Sequence, residues 1–398
     1  MYYKIIITVL TTVLVSSCTG KKSQQLNKTV SVEETTSFLA KAAEGDLFLL
    51  VGTYTSEEGS KGIYVYRFNS LSGKSDSVSM VELTNPSYLT LSPDEKFVYA
   101  VGENEKESSA VYALSFNKKH GQLSIIDTRL TLAESPCYIT IHSNGKDLHT
   151  ANYGGGSITS FQVDSEGLLG SATWVMQFNG NGPDSVRQQG SHVHSVRYSP
   201  DGLYLFATDL GTDKMYRFTV QNTPFDGQPV IQQSSKREFI MPPGTGPRHF
   251  DFHPNGGKYL YVLGELSGQV ILFDYNGGDL KQKQVVAADT LGAQGSADIH
   301  VSPDGRFLYA SNRLKGDGLA IFSIDPNDGT LTKLGYQLTV KHPRNFVITP
   351  DGNYVLVAGR DDNLIQVFAL DKETGLLKDT DHSISLSKPV CLKFASME

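Results

Sequence analysis

Two histidines two positions apart, His192 and His194, head the alternating run HVHSVRYSP; Arg248 and His249 follow the lead GTGP; Glu265 ends the apolar run YLYVLG, and Arg313 follows FLYASN. Imidazoles and carboxylates are the side chains that move protons during catalysis, and guanidinium holds planar anions and developing oxyanions. The set suits acid–base chemistry on a small anionic or carbonyl-bearing molecule. His194 is expected to serve ahead of His192, with Glu265 as the carboxylate acid or base. Arg248 and Arg313 are expected to hold negative charge, and the GTGP lead exposes peptide N–H groups beside it. Asp209, in ATDLGTDKMY, is a candidate to steady a histidine.

The His-x-His pair with Glu265 or Asp209 would supply three zinc ligands. The HExxH spacing is absent, however, and the arginines oppose a cation, so no metal is expected. There is no GxSxG elbow, P-loop or dinucleotide fingerprint in a fitting context; GGGS at 154–157 joins two strand-like runs and reads as a turn. No cofactor is expected.

These residues are far apart in the chain, so the elements that carry them must be arranged to meet. PSYLTLSPDEKFVYAVGE, PCYITIHSNGKDLHTANY, HVHSVRYSPDGLYLFATDL, PRHFDFHPNGGKYLYVLGE, SADIHVSPDGRFLYASNRL and PRNFVITPDGNYVLVAGRD share one plan. Each is a strand, an Asp/Asn-Gly type corner and a second strand, recurring at intervals of roughly 50 residues, the period of a propeller whose blades hold four antiparallel strands. A third strand follows in each unit, as at 110–116, 157–163, 214–220, 269–275, 319–324 and 364–370, and then an outer strand. No stretch shows the sustained 3.6-residue period of a βα unit, so little helix is expected after residue 46.

The two ends of the body are incomplete in complementary ways. Residues 47–53, 62–68 and 77–83 supply three strands without a lead-in, and KPVCLKFA at 388–395 supplies a lead-in alone. Pairing them completes a seventh blade and removes an open edge. The expected fold is all-β, a seven-bladed propeller closed by the C-terminal strand. Second strands end at Glu103, Asn152 with Tyr153, Asp209, Glu265, Asn312 with Arg313, and Arg360; first strands begin at His192, Arg248 with His249, and Arg344 with Asn345. Glu103, Asn152, Asn312, Arg344 and Arg360, with His192, Asp209 and His249, are therefore expected to form one substrate-binding rim.

The 398-residue chain carries a net charge of -7, which excludes a broad basic surface for nucleic acid. Residues 1–18, MYYKIIITVLTTVLVSSC, read as an export signal whose VSSC ending resembles a bacterial lipobox. That implies lipid on Cys18, a flexible tether over 19–45 and a body over 46–398 outside the cytoplasm, facing the periplasm or the cell surface. Cys137 and Cys391 read as buried free thiols rather than a disulfide framework.

The runs FLLVGTYT, ANYGGGSI, HVHSVRYSPDGLYLFATDLGTDKMY, GTGPRHFDFHPNGGKYLYVLGE and SNRLKGDGLAIF resemble those of the seven-bladed propeller lactonases of the 6-phosphogluconolactonase type. The resemblance covers residues 47–394. It implies hydrolysis, without a nucleotide cofactor, of a sugar lactone, 6-phosphogluconolactone or an unphosphorylated aldonolactone, with His194, Arg248, Glu265 and Arg313 as the polar set, and the reaction is expected to need no metal. His194 or Glu265 would activate water while the arginines hold the oxyanion. The related carboxymuconate-lactonising enzymes close a lactone on the same scaffold, and a carbohydrate-binding or surface scaffold without turnover is the other alternative. Gly359-Arg360-Asp361 departs from the family's Ala-Asn-Gln type of ending, which puts the channel charge and substrate identity in question. A monomer is expected.

Overall fold

The computed structural model describes residues 42–220 and 231–397. Cys18 and the export signal lie outside them, as does nearly all of the tether. Every regular element among the described residues is a strand, 28 in all, in seven four-stranded antiparallel sheets. The blades follow the expected units, and the third strands Ser157–Val163, Lys214–Val220 and Leu364–Leu370 coincide with the runs read from the sequence.

Burial explains why inner and outer strands differ in composition. Tyr259–Gly264 and Phe307–Asn312 are packed between neighbouring blades on both faces, and their sequences run almost continuously apolar. Outer strands such as Asp279–Ala287, DLKQKQVVA, face water on one side and alternate. The corners between first and second strands are built alike: Ser302 Oγ donates to Asp304 Oδ1 (2.6 Å), Arg306 N donates to the same oxygen, and Gly305 takes φ +75°. In SPDE the glycine's place falls to Glu95, which holds φ +53° while accepting from Ser396 N (3.0 Å) on the closing strand.

Closure follows the expected route. Pro389–Ser396 pairs antiparallel with Asp46–Thr53, from Leu47 opposite Ser396 to Thr53 opposite Pro389, and completes the first blade. Between blades, Tyr261 and Tyr309 donate to the carbonyls of Gly329 and Gly375, each in the blade that follows (2.8 Å each).

Two ring-like sets of residues arise from this repetition. The residue after the end of each second strand stands at one mouth of the central channel; in chain order these are Tyr54, Glu103, Tyr153, Leu210, Glu265, Arg313 and Arg360. The other set comes from a β-bulge at the start of the first strands. Pro136 faces Asn152 while Tyr138 faces Ala151, so Cys137 is an extra residue, and His194, Arg248, Arg344 and Val390 are extra in the same way. A bulge bends the strand and re-aims its side chain, here toward the axis.

Candidate active site

Glu265 is placed by its own backbone, whose N–H donates to Gly246 O (2.8 Å) as the strand ends. Its carboxylate meets three guanidiniums: Arg187 at 2.7 Å and Arg313 at 3.2 Å on Oε1, and Arg248 Nε at 2.9 Å from Oε2, close enough for an ion pair though not aligned as a hydrogen bond. Burial alone would raise its pKa, but Arg313, Arg248 and Arg187 overrule that and hold it at about 2. Glu265 is therefore fully ionised and saturated with partners. It organises arginines, and with both oxygens facing guanidinium groups it is weakened as a proton acceptor.

The arginines have further contacts besides Glu265. Arg313 Nε donates to Gly295 O (2.7 Å), and its NH1 lies 3.3 Å from His342 Nε2. Burial, opposed by Glu265, lowers its pKa to about 9, so it stays cationic at neutral pH. Arg248, 1 % exposed, donates from NH1 to Ala297 O. Arg344 lies over the Tyr54 ring, 5.5 Å from its centroid, and 3.8 Å from Glu103 Oε2. Tyr54 Oη donates to the Glu103 carboxylate (2.9 and 3.0 Å).

A pocket of about 210 Å3 opens at this mouth, lined by Glu265, Arg313, Arg187, Arg344, Glu103 and His194 together with Tyr54, Tyr153 and Cys137. Its size fits one sugar ring. His194 is buried; burial first, then Arg248, His249 and Arg344, depress its pKa well below the usual histidine range, so it is neutral. Its Nδ1 lies 3.8 Å from Cys137 Sγ, whose thiol burial pushes up to about 12. Larger hollows of about 260 and 340 Å3 sit at the Ser92–Asp94 and Ser302–Asp304 corners on the opposite face. There the aspartates already accept from their own corners.

The sequence-derived rim is thus partly assembled. His194, Glu265, Arg313, Glu103 and Arg344 meet in the pocket, and Arg248 and His249 lie in a layer beneath it. Five others do not reach it. Asp209 accepts from Ser191 Oγ (2.7 Å), His192 N (2.7 Å) and Gly211 N (3.0 Å) and so caps a turn instead of steadying an imidazole. His192 stacks on Tyr153 and pairs its Nδ1 with Tyr153 O (3.0 Å). Asn152 donates to Ser157 Oγ and Thr159 Oγ1, and Asn312 joins Ser296 Oγ to Ala288 O. Arg360 turns onto its neighbour Asp361 (2.6 Å) and not into the pocket, while Asp361 also meets His342 (3.3 Å), whose other nitrogen lies beside Arg313.

Sequence reasoning missed Arg187, Tyr54 and the pocket role of Cys137. Arg187 lies in the connector 178–192, the longest between blades among the described residues; length was its signal, since long ordered loops tend to carry function.

Fold and pocket together define a closed propeller with an arginine-lined pocket beside a neutral imidazole at one mouth. The chain belongs to the family described as lactonase, 7-bladed beta-propeller, which matches residues 48–394. It is 37% identical over 336 residues to a 6-phosphogluconolactonase of Formosa agariphila, covering 83% of this chain and 94% of that one. It is 34% identical over 352 residues to a 6-phosphogluconolactonase of Bacillus subtilis, covering 86% and 97%. Among solved structures, a putative 6-phosphogluconolactonase of Bacteroides fragilis superposes with TM-score 0.86 at 50% identity, covering 90% of this chain and all of that one. A periplasmic gluconolactonase of Pseudomonas aeruginosa superposes with TM-score 0.82 at 34% identity, covering 89% of this chain and all of that one.

Proposed function

We propose that the protein hydrolyses the ester of a sugar lactone without a metal ion, using the arginine-lined mouth to hold the lactone and its oxyanion. The observation that carries this reading is the gathering of Arg187, Arg248 and Arg313 around one ionised carboxylate at a sugar-sized pocket. Three arginines outnumber two glutamates in the pocket wall, so the carbonyl oxygen meets positive charge as it becomes an oxyanion. With Glu265 committed to its arginines, the proton acceptor is one of the two neutral imidazoles, His194 or His249. The excess of guanidinium disfavours a resident cation.

Two relatives act on gluconolactone with the 6-phosphate by name, and a solved one is named a periplasmic gluconolactonase. Together with the export-like leader, the latter supports an extracytoplasmic protein acting on an unphosphorylated aldonolactone. A pH-stat assay over glucono-1,5-lactone, its 6-phosphate and related aldonolactones, corrected for buffer hydrolysis, should show turnover of at least one, unchanged by EDTA. Binding without turnover across the panel would instead indicate a carbohydrate-binding scaffold.

The anchor has its own test. Cys18→Ser should move the protein from the membrane fraction to the soluble extracytoplasmic fraction and abolish palmitate labelling; a wild-type protein found soluble and unlabelled overturns the lipid-anchor reading.

A further inference from the structure

Beneath the pocket lies a second, narrow chamber of about 10 Å3, room for about one water molecule. It shares Cys137 and Arg344 with the pocket above, so the two spaces meet at a common wall. Among the described residues, four buried side-chain polar atoms lack a hydrogen-bond partner, and three of them, Ser87 Oγ, Arg248 Nε and His249 Nε2, belong to residues lining this chamber. Arg248 Nε already faces the Glu265 carboxylate, but Ser87 Oγ and His249 Nε2 are unpaired; unpaired buried polar atoms are costly, and two at one water-sized space indicate what it is shaped to hold.

His249 differs from His194 in having a carboxylate behind it. Its Nδ1 donates to Asp298 Oδ1 (2.7 Å), which fixes the tautomer and leaves the Nε2 lone pair free. Asp298 is held in turn by Ile299 N (3.1 Å) on Oδ1, and by His300 Nε2 (3.0 Å) and Asn345 Nδ2 on Oδ2. Burial, Arg248 and Arg344 oppose the protonated form of either imidazole, but Asp298 offsets them at His249, whereas His194 has no carboxylate in contact. A base needs a partner for the positive charge it acquires, and only His249 has one.

We propose that Asp298 and His249 activate the hydrolytic water from beneath the pocket, with the water held between His249 Nε2 and Ser87 Oγ. This rests on the lactonase reading above. The water's proton passes to His249 Nε2 as its oxygen bonds to the lactone carbonyl carbon, and the carbonyl electron pair moves onto the oxygen facing the arginines. Collapse of that intermediate breaks the bond to the ring oxygen, which takes the proton from His249, and the resulting acid ionises to the open-chain carboxylate. His249 is thus catalytic through the attacking water. Asp298 and Ser87 are positioning residues, and His194 serves as a wall of the substrate pocket.

The test has one arm independent of turnover. A high-resolution crystal structure of the full protein should show a water within hydrogen-bonding distance of both His249 Nε2 and Ser87 Oγ; a chamber without one overturns the proposal even if lactone hydrolysis is confirmed. In kinetics on a lactone the wild type hydrolyses, His249→Gln should lower kcat by about 100-fold or more with KM within about threefold, the scale of general-base loss. His194→Gln should act mainly on KM. Ser87→Ala removes one hydroxyl and should lower kcat about tenfold with unchanged melting, which keeps the proposal testable if His249→Gln does not fold. Wild-type kcat in Ser87→Ala, or a 100-fold kcat loss in His194→Gln with none in His249→Gln, overturns it. A wild type inert on every lactone, with the water present, removes the hydrolase reading instead.

Discussion

Glu265→Ala is expected to lower stability by about 3–5 kcal/mol and turnover on the order of 100-fold, because it strands two buried arginines at once. Arg248 and Arg313 are 1 % and 6 % exposed, and Glu265 is the one carboxylate that touches both among the described residues. Removing one partner of a buried pair costs more than the pair is worth, since the remaining charge stays desolvated. Turnover falls because the guanidiniums relax away from one another and no longer converge on the carbonyl. Glu265→Gln keeps the shape and separates the two effects. The folded carboxyl titrates at about 2 against an ordinary 4.5. The unfolded chain therefore binds the proton first as pH falls. Glu265 contributes its full stabilisation above about pH 4.5 and loses it as pH drops toward 2, roughly 3 kcal/mol in all. Urea titrations between pH 7 and 2.5 should show that component in the wild type and its loss in Glu265→Gln. Parallel pH dependences in the two proteins would count against the ion-pair account.

The blades and their number were legible because their signals are local. An Asp- or Asn-bearing corner between two apolar runs specifies a hairpin wherever it occurs, and the half-blades at 46–82 and 389–396 fit only each other. The site was legible to within about one residue, and that residue decided most of the outcome. Asn152, Asp209 and Asn312 are the last residues of their strands, and their side chains satisfy neighbouring turns. Tyr54, Glu103, Tyr153, Glu265 and Arg313 come one position later and line the pocket. Because side chains alternate along a strand, polar residues at adjacent positions look equivalent in sequence yet point to different surroundings. The bulges that turn Cys137, His194, Arg248 and Arg344 inward had no sequence signal, since an extra residue is defined only by the strand opposite it. Cys137 consequently read as a core thiol, and Asp298 did not stand out at all.

A chain ending at Ser387 should fail to give a cooperatively folded propeller. The deleted strand buries Val390, Cys391, Leu392 and Ala395 almost completely. At about 1.5–3 kcal/mol for each large aliphatic side chain, with a ladder of backbone hydrogen bonds besides, its loss consumes much of the roughly 5–15 kcal/mol that holds a typical protein folded. Asp46–Thr53 would also become an open edge ready to pair with another chain. Thermal melts and size-exclusion chromatography should show early unfolding and large aggregates; a monomer melting within a few degrees of the wild type would refute the closure account. The same strand reaches into the chemistry. Leu392 N donates to Asn345 Oδ1 (2.7 Å), Asn345 Nδ2 donates to Asp298, and Asp298 holds His249. Closing the ring and orienting the imidazole are thus successive links in one chain of contacts, which explains why a buried amide sits where the seventh blade meets the first.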